Sequence, residues 1–296
     1  MTAVWIYLNG MFIHERNAVV SIHDRGFRYG DGVFDTILVA ESRPVLCEAH
    51  LDRLRRGASV LGLSGLPTRE QMIAAIRELI DRNGLPTALV RLTVTRGASE
   101  GWEHQPEAAP TVVIAERPNA GYPARLYTQG AAVVVVGITR ASPSALDPTI
   151  KSLNALPQVL AKQEATARGA DEAILLAENG SVAEGSVSNV FCVTEGRIKT
   201  PPVSDGIFPG ITRAAVIDLA RREGLLCDEL SLSPDELHQA EEVFLTGTGM
   251  GVLPVTSVDG RNISRSPGPI TYALRRLYQD FLRTSLLDGR SSPLAG

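Results

Sequence analysis

Lysine is nearly missing from this sequence. Of 29 Lys and Arg residues only three are lysine: Lys151, Lys162 and Lys199. Cysteine is scarce too, and Cys47, Cys192 and Cys227 are odd in number, far apart and without a C-x-x-C pair. That pattern excludes a disulfide framework and a thiolate zinc site, and it points to reduced thiols in a cytoplasmic setting. The five histidines have no H-E-x-x-H or comparable spacing, so no metal is expected. No apolar run is long enough to span a bilayer; the longest, Ala131 to Ile138, is strand-sized. The start, Met1-Thr-Ala-Val-Trp-Ile-Tyr7, lacks the basic and apolar regions of a signal peptide. With a net charge of −4 and no dense basic stretch, nucleic acid is not an expected partner.

What is present is an ordinary soluble composition, 44% hydrophobic and 21% charged, in 296 residues. That length favours two domains over one core. The Pro- and Gly-containing stretch Arg117-Pro-Asn-Ala-Gly-Tyr-Pro123 is the best linker. The expected organisation is an N-terminal α/β domain over 1–117, a linker over 118–130, and a C-terminal domain over 131–296.

In the first half, Ala3 to Leu8 alternates like a strand and Asn9-Gly10 is a hairpin turn. Ser21 to Asp35 carries three glycines and reads as a tight loop opening into a strand from Val33 to Val39. Leu51, Leu54, Ala58 and Leu61 share one side of a helix, and Thr68…Gln71 is a capping box for the next. Thr87 to Thr95 alternates and runs into a polar loop, Ala98 to Pro110, that carries Trp102, Glu103 and His104.

In the second half, Ala131 to Gly137 is an apolar strand, and a Pro-containing loop then delivers Thr149-Ile-Lys-Ser-Leu-Asn154 to the start of an apolar helix. Lys162 and Lys199 read as solvated. Lys151 differs, because a desolvated lysine can lose its proton and act as a nucleophilic amine, which arginine cannot do. The bland alternative is a lysine that neutralises a carboxylate. Further on, Glu184 stands among small and hydroxyl residues in Ser181-Val-Ala-Glu-Gly-Ser-Val-Ser-Asn189. Pro209-Gly210 feeds a helix from Ile211, leaving free N–H groups at its start, and Gly247-Thr-Gly-Met-Gly251 is a turn where backbone can approach a ligand. A lone amine, a shielded carboxylate and two anion-sized turns suit an anionic cofactor with a carbonyl and a basic ring nitrogen. Pyridoxal 5′-phosphate (PLP) has those properties.

The sequence resembles the fold-type IV, or class IV, PLP-dependent aminotransferases, a family that includes D-amino acid aminotransferases, branched-chain aminotransferases and aminodeoxychorismate lyases. The resemblance runs from Asp24-Arg-Gly-Phe-Arg-Tyr-Gly-Asp-Gly-Val-Phe34 to Thr246-Gly-Thr248, through Ile150-Lys-Ser-Leu-Asn154, Glu184-Gly-Ser-Val-Ser-Asn189 and Gly210-Ile-Thr-Arg213. It implies a two-domain α/β fold of α+β type with mixed sheets. Lys151 matches the Schiff-base lysine and Glu184 the partner of the pyridine nitrogen. Arg53, Ile211, Thr212 and Thr248 match phosphate contacts, and Phe208 matches the residue packed on the cofactor ring. A ping-pong exchange between an amino acid and a 2-oxo acid follows, in a homodimer whose Arg28–Phe34 loop covers the partner's cofactor. The C-terminal half is closer to the D-amino acid group, which makes a D-amino acid the expected donor. Phe34-Asp35 looks more like the branched-chain enzymes, and no arginine lies between Ala98 and Pro110. A branched-chain L-amino acid or (R)-amine transaminase and a lyase therefore stay open. With the usual loop arginine absent, Arg28 and Arg96 become the candidates for the substrate carboxylate, with Phe34 lining the pocket.

Overall fold

The computed structural model describes residues 4–103 and 108–288, so His104 lies outside the described residues. The chain divides into two compact units. The first runs to Ala120 and adds Ile150–Asn154 and the end of the last helix from Ser285; the second holds Gly121–Thr149 and Ala155–Thr284. Lys151 thus belongs to the first unit.

The first unit is built on β1 (Trp5–Leu8), β2 (Met11–His14), α1 (Arg25–Tyr29), β3 (Gly32–Ala40), β4 (Arg43–Pro44), α2 (Cys47–Val60), α3 (Arg69–Asn83), β5 (Thr87–Thr95) and β6 (Thr111–Pro118). Its six strands are ordered β2-β1-β6-β5-β3-β4, and every pairing is antiparallel. Alternation decides which face is covered. Val33, Ile37 and Val39 of β3 and Val90, Leu92 and Val94 of β5 point inward with Leu51, Leu54 and Ala58 of α2 and Met72, Ile76 and Leu79 of α3. The capping box behind Pro67 forms as its sequence implies: Thr68 Oγ1 accepts from Gln71 N at 3.2 Å and Thr68 N donates to Gln71 Oε1 at 2.8 Å.

Two local expectations give way to tertiary structure. The glycine-rich stretch before β3 contains the short helix α1, not only a loop. Asp24 caps it through Gly26 N (2.8 Å), and the other Asp24 oxygen accepts from the hydroxyls of Thr95 (2.8 Å) and Thr111 (2.6 Å). The Lys151 stretch does not begin a helix either. It pairs with β3: Phe34 N donates to Lys151 O at 2.9 Å, Leu153 N donates to Gly32 O at 3.0 Å, and Ser152 bridges Val33. The helix starts only at Leu156.

The second unit contains α4 (Ala124–Thr128), β7 (Ala131–Thr139), α5 (Leu156–Ala167), β8 (Glu172–Leu176), β9 (Val182–Gly185), β10 (Asn189–Thr194), β11 (Arg197–Thr200), α6 (Ile211–Arg222), β12 (Cys227–Glu229), α7 (Pro234–Gln239), β13 (Glu242–Gly247), β14 (Gly251–Val258), β15 (Arg261–Asn262) and most of α8 (Pro269–Asp288). The sheet runs β12-β11-β10-β13-β14-β7-β8-β9, with β15 attached to β14. It is mixed: β7 is parallel to β14 and β8, while β10, β13 and β14 are antiparallel to one another in turn. One core gathers Val190, Val243, Leu245 and Val255; another stacks Phe191 on Phe244, 4.8 Å between centroids, beneath α6 and α8. The buried carboxylate of Glu242 starts α8 by accepting from Thr271 N (2.8 Å) and Ile270 N (3.1 Å), an acid at a helix N-terminus.

Candidate active site

In the first unit Phe34 and Lys151 meet on the sheet face opposite α2 and α3. There Phe34 is half-buried, and its ring centroid is 4.8 Å from Lys151 Nζ. The same ring carries the guanidinium of Arg91, with Cζ 3.7 Å from the centroid. Register explains the meeting: Thr36 of β3 stands across from Arg91 of β5, and Phe34 is two residues away on the same face. Among the described residues the Arg91 guanidinium makes no hydrogen bond and no ion pair. Burial lowers its affinity for its proton, with Asp35 acting against that shift and Arg117 along with it. The sequence reading missed this residue. An arginine on the outward side of an alternating strand looks like an ordinary solvated charge.

Asp35 falls on the core side of β3, where a carboxylate must find partners. Arg53 supplies a fork, Nε to Oδ2 and Nη2 to Oδ1, both 2.8 Å. His50 Nδ1 lies 2.7 Å from Oδ1, and Thr36 N donates at 2.7 Å. Burial works against the charged carboxyl, but Arg53 and His50 outweigh it and hold Asp35 well below the ordinary carboxylate range. Burial also lowers the His50 imidazole against the pull of Asp35. One face of α2 thereby fixes Arg53 in a single orientation.

The expected carboxylate arginines are arranged differently. Arg96 is committed: its Nε and Nη2 hold Asp31 at 2.8 and 3.0 Å, and Nη2 also donates to Leu61 O at 2.7 Å. Arg28 is exposed, with Cζ 5.0 Å from the Tyr29 ring and no ion pair to Asp31 or Asp35. Asp31 is taken by Arg25 as well, at 2.8 Å. Arg25 in turn donates to the carbonyls of Gly101 and Trp102, and Trp102 stacks on Tyr29 at 4.5 Å, so α1 anchors the loop after β5.

In the second unit β9 carries Glu184, which is almost fully buried. Its Oε1 lies 2.9 Å from Arg140 Nε; its Oε2 accepts from Phe208 N at 2.9 Å and Asn189 Nδ2 at 3.2 Å. Asn189 Nδ2 also donates to Phe208 O at 2.9 Å, clamping the segment ahead of α6 to β10. Arg140 went unnoticed in the sequence. The α6 N-terminus has no side-chain cap at Gly210, leaving the first N–H groups, Ile211 among them, available. A Cβ at Gly210 would come 2.1 Å from Asn189 Oδ1, so glycine is required there. Thr212 Oγ1 sits 3.4 Å from Tyr278 OH. Thr248 lies in the turn between β13 and β14, closed by Met250 N to Gly247 O at 3.2 Å. Nearby hydroxyls of Thr246 and Ser188 are buried without a hydrogen-bond partner. The other two lysines have partners of their own: Lys162 donates to Asp171 O and lies 3.8 Å from Oε1 of the buried Glu172, and Lys199 lies 3.3 Å from Glu236 Oε1.

Within this unit an uncapped helix start, orphaned hydroxyls and a buried carboxylate are groups of the kind that a phosphorylated pyridine needs. The profile of amino-transferase class IV matches residues 32–258, and the chain belongs to that family. Its members are PLP enzymes, and this protein is a PLP-dependent aminotransferase. It is 40% identical over 277 residues to a putative branched-chain-amino-acid aminotransferase of Methanocaldococcus jannaschii, covering 93% of this chain and 95% of that one. A D-alanine aminotransferase of Bacillus licheniformis is 34% identical, with 93% and 96% covered. The branched-chain amino acid aminotransferase of Escherichia coli superposes with a TM-score of 0.91 at 31% identity, covering 95% of both chains.

Proposed function

We propose that this protein transaminates branched-chain L-amino acids, with 2-oxoglutarate as amino acceptor. The observation that carries this is Arg91, a guanidinium without an ion partner among the described residues, resting on the apolar ring that also faces the Lys151 amine. Phe34 offers apolar surface to a branched side chain, and Arg91 offers a carboxylate fork to an acidic one. One pocket can then take both partners of the exchange. The similarity to branched-chain enzymes supports the same reading. The similarity to D-alanine aminotransferases keeps a D-amino acid donor as the alternative.

PLP supplies an aldehyde carbon that condenses with amines and a ring that accepts the electron pair of a broken Cα–H bond. Lys151 would hold that carbon at rest, and as a free amine it would take the Cα proton and return it. Glu184 would hold a proton at the ring nitrogen. Arg53, preset by Asp35, would bind phosphate, as would Thr212, Thr248 and the Ile211 N–H. Phe208 would pack against the ring. Arg28 lies on α1, in the Arg28–Phe34 stretch that a second copy of the chain would receive. Val19, Ile22, Phe27 and Trp102 are exposed around that stretch, which supports a homodimer. Three unbridged cysteines accord with a cytoplasmic setting.

A panel of L- and D-amino acids with 2-oxoglutarate tests the reading. Leucine, isoleucine and valine in the L form should react. Arg91→Met should raise KM for glutamate and 2-oxoglutarate by about tenfold or more, the worth of a charged bidentate contact, and change that for leucine far less. Lys151→Ala should give no borohydride-stable adduct with the cofactor. Turnover of D-amino acids alone, or release of pyruvate without an acceptor, would overturn the proposal.

A further inference from the structure

A buried ion pair is a poor way to gain stability, because desolvation of the two charges cancels most of their attraction. The Arg140–Glu184 pair is such a case: its side chains are 12% and 7% exposed, and Nε lies 2.9 Å from Oε1. Arg140 follows the end of β7, and its backbone N–H donates to Leu176 O at 2.9 Å. Its Nη1 meets the amide oxygen of Gln158 in the first turns of α5, with that amide turned to give its nitrogen to Ala155 O. Within its unit Glu184 faces Arg140 from β7, Asn189 from β10, the Phe208 N–H ahead of α6, and Leu175 across the β8–β9 pair. Of these groups Arg140 is the charged one.

The consequence concerns where one proton resides. Glu184 and a pyridine nitrogen can share a proton in two ways, as carboxylate with pyridinium or as carboxylic acid with neutral pyridine. The neutral arrangement is favoured by a low-dielectric interior unless something selectively stabilises the carboxylate. A guanidinium paired with the carboxylate does so, because its charge is set directly against that carboxylate. Both the N–H and the amide at Oε2 help, but neither carries charge.

We propose that Arg140 is a positioning residue whose charge, held on Glu184, keeps the shared proton on the cofactor ring nitrogen and off the carboxylate. This rests on the assignment of Glu184 to that nitrogen. The ring then draws electrons from the reacting carbon at full strength, while Arg140 itself touches neither substrate nor ring.

The test reads the ring nitrogen directly, by ¹⁵N NMR of resting enzyme reconstituted with ring-labelled PLP. Wild type should show the protonated position. Arg140→Gln keeps a donor but loses the charge; it should move the resonance toward the unprotonated position and lower kcat by about tenfold or more, with KM nearly unchanged. Arg140→Lys should restore the protonated resonance and most of kcat. Should Arg140→Gln keep the wild-type resonance while Glu184→Gln loses it, the proposal fails and the Glu184 assignment stands. An unchanged resonance in Glu184→Gln would remove that assignment and the proposal together. Equal loss in the Lys and Gln variants would make Arg140 a structural residue and refute the charge argument.

Discussion

Replacing Asp35 with Asn keeps the shape of the side chain and removes its charge. Asp35 is the carboxylate that Arg53 and His50 share, and those two side chains are 8% and 3% exposed. The substituted amide would present an NH₂ group to partners that are themselves donors, so the Arg53 fork and the His50 Nδ1 contact cannot both persist. Removing one partner of a buried pair costs about 3–5 kcal/mol, and little solvent screening is available here to reduce that. Against a total stability of roughly 5–15 kcal/mol the loss is severe, and it corresponds to a fall in Tm on the order of 10 °C. The sign with pH follows from the depressed folded-state carboxyl. Its contribution is complete above the ordinary value of 3.8 and fades as pH falls through that value toward the lower, folded one. Wild type and Asp35→Asn should therefore differ fully at pH 7 and converge below about pH 4. Urea denaturation followed by tryptophan fluorescence suits the measurement, since Trp5 and Trp102, the chain's two tryptophans, both belong to the first unit. A difference below about 1 kcal/mol at pH 7, or one that persists unchanged to pH 3, would refute the reasoning.

Two further outcomes follow. Glu116 on β6 is buried, and neither carboxylate oxygen makes a hydrogen bond of normal geometry, the Asn83 amide beside it being engaged with the backbone of Trp5. Burial raises its affinity for a proton, so its effect is most favourable at low pH and is lost as pH rises above its ordinary value of 4.5. Glu116→Gln should stabilise the protein by about 1 kcal/mol at pH 7 and make no difference near pH 4; destabilisation at pH 7 would show an unrecognised partner for the carboxylate. Light scattering at assay concentration should give twice the 31.7 kDa chain mass, and a fully active monomer would exclude the homodimer.

Candidate site residues stood out in the sequence where chemistry restricts residue type. A lysine in a chain that otherwise uses arginine, and a carboxylate among serines and glycines, both stand out because few structural roles ask for them. Arg91 and Arg140 were hidden by the same composition, since in an arginine-rich chain one more arginine at a strand end or on an outward face carries no signal. Only register reveals the first, through Thr36 and Phe34, and only the folded sheet brings the second to Glu184. The helices with capping boxes or leucine stripes were readable locally. The Lys151 segment was not, because its extended form comes from pairing with Gly32–Phe34, more than a hundred residues earlier. Likewise α1 depends on Asp24 being held by Thr95 and Thr111, which no local window contains.

The three cysteines lend the molecule a use unrelated to catalysis. Each is shielded, and burial pushes their thiols up to about 11 for Cys47 and Cys227 and about 12 for Cys192. A folded molecule should therefore be almost inert to alkylating probes at neutral pH. The three lie in different apolar clusters: Cys47 against α3 in the first unit, Cys192 with Val190 and Val243, and Cys227 with Ala215 and Ala220 of α6. Pulsed thiol labelling with mass spectrometry would then time the opening of each cluster separately, from three reporters the chain already carries.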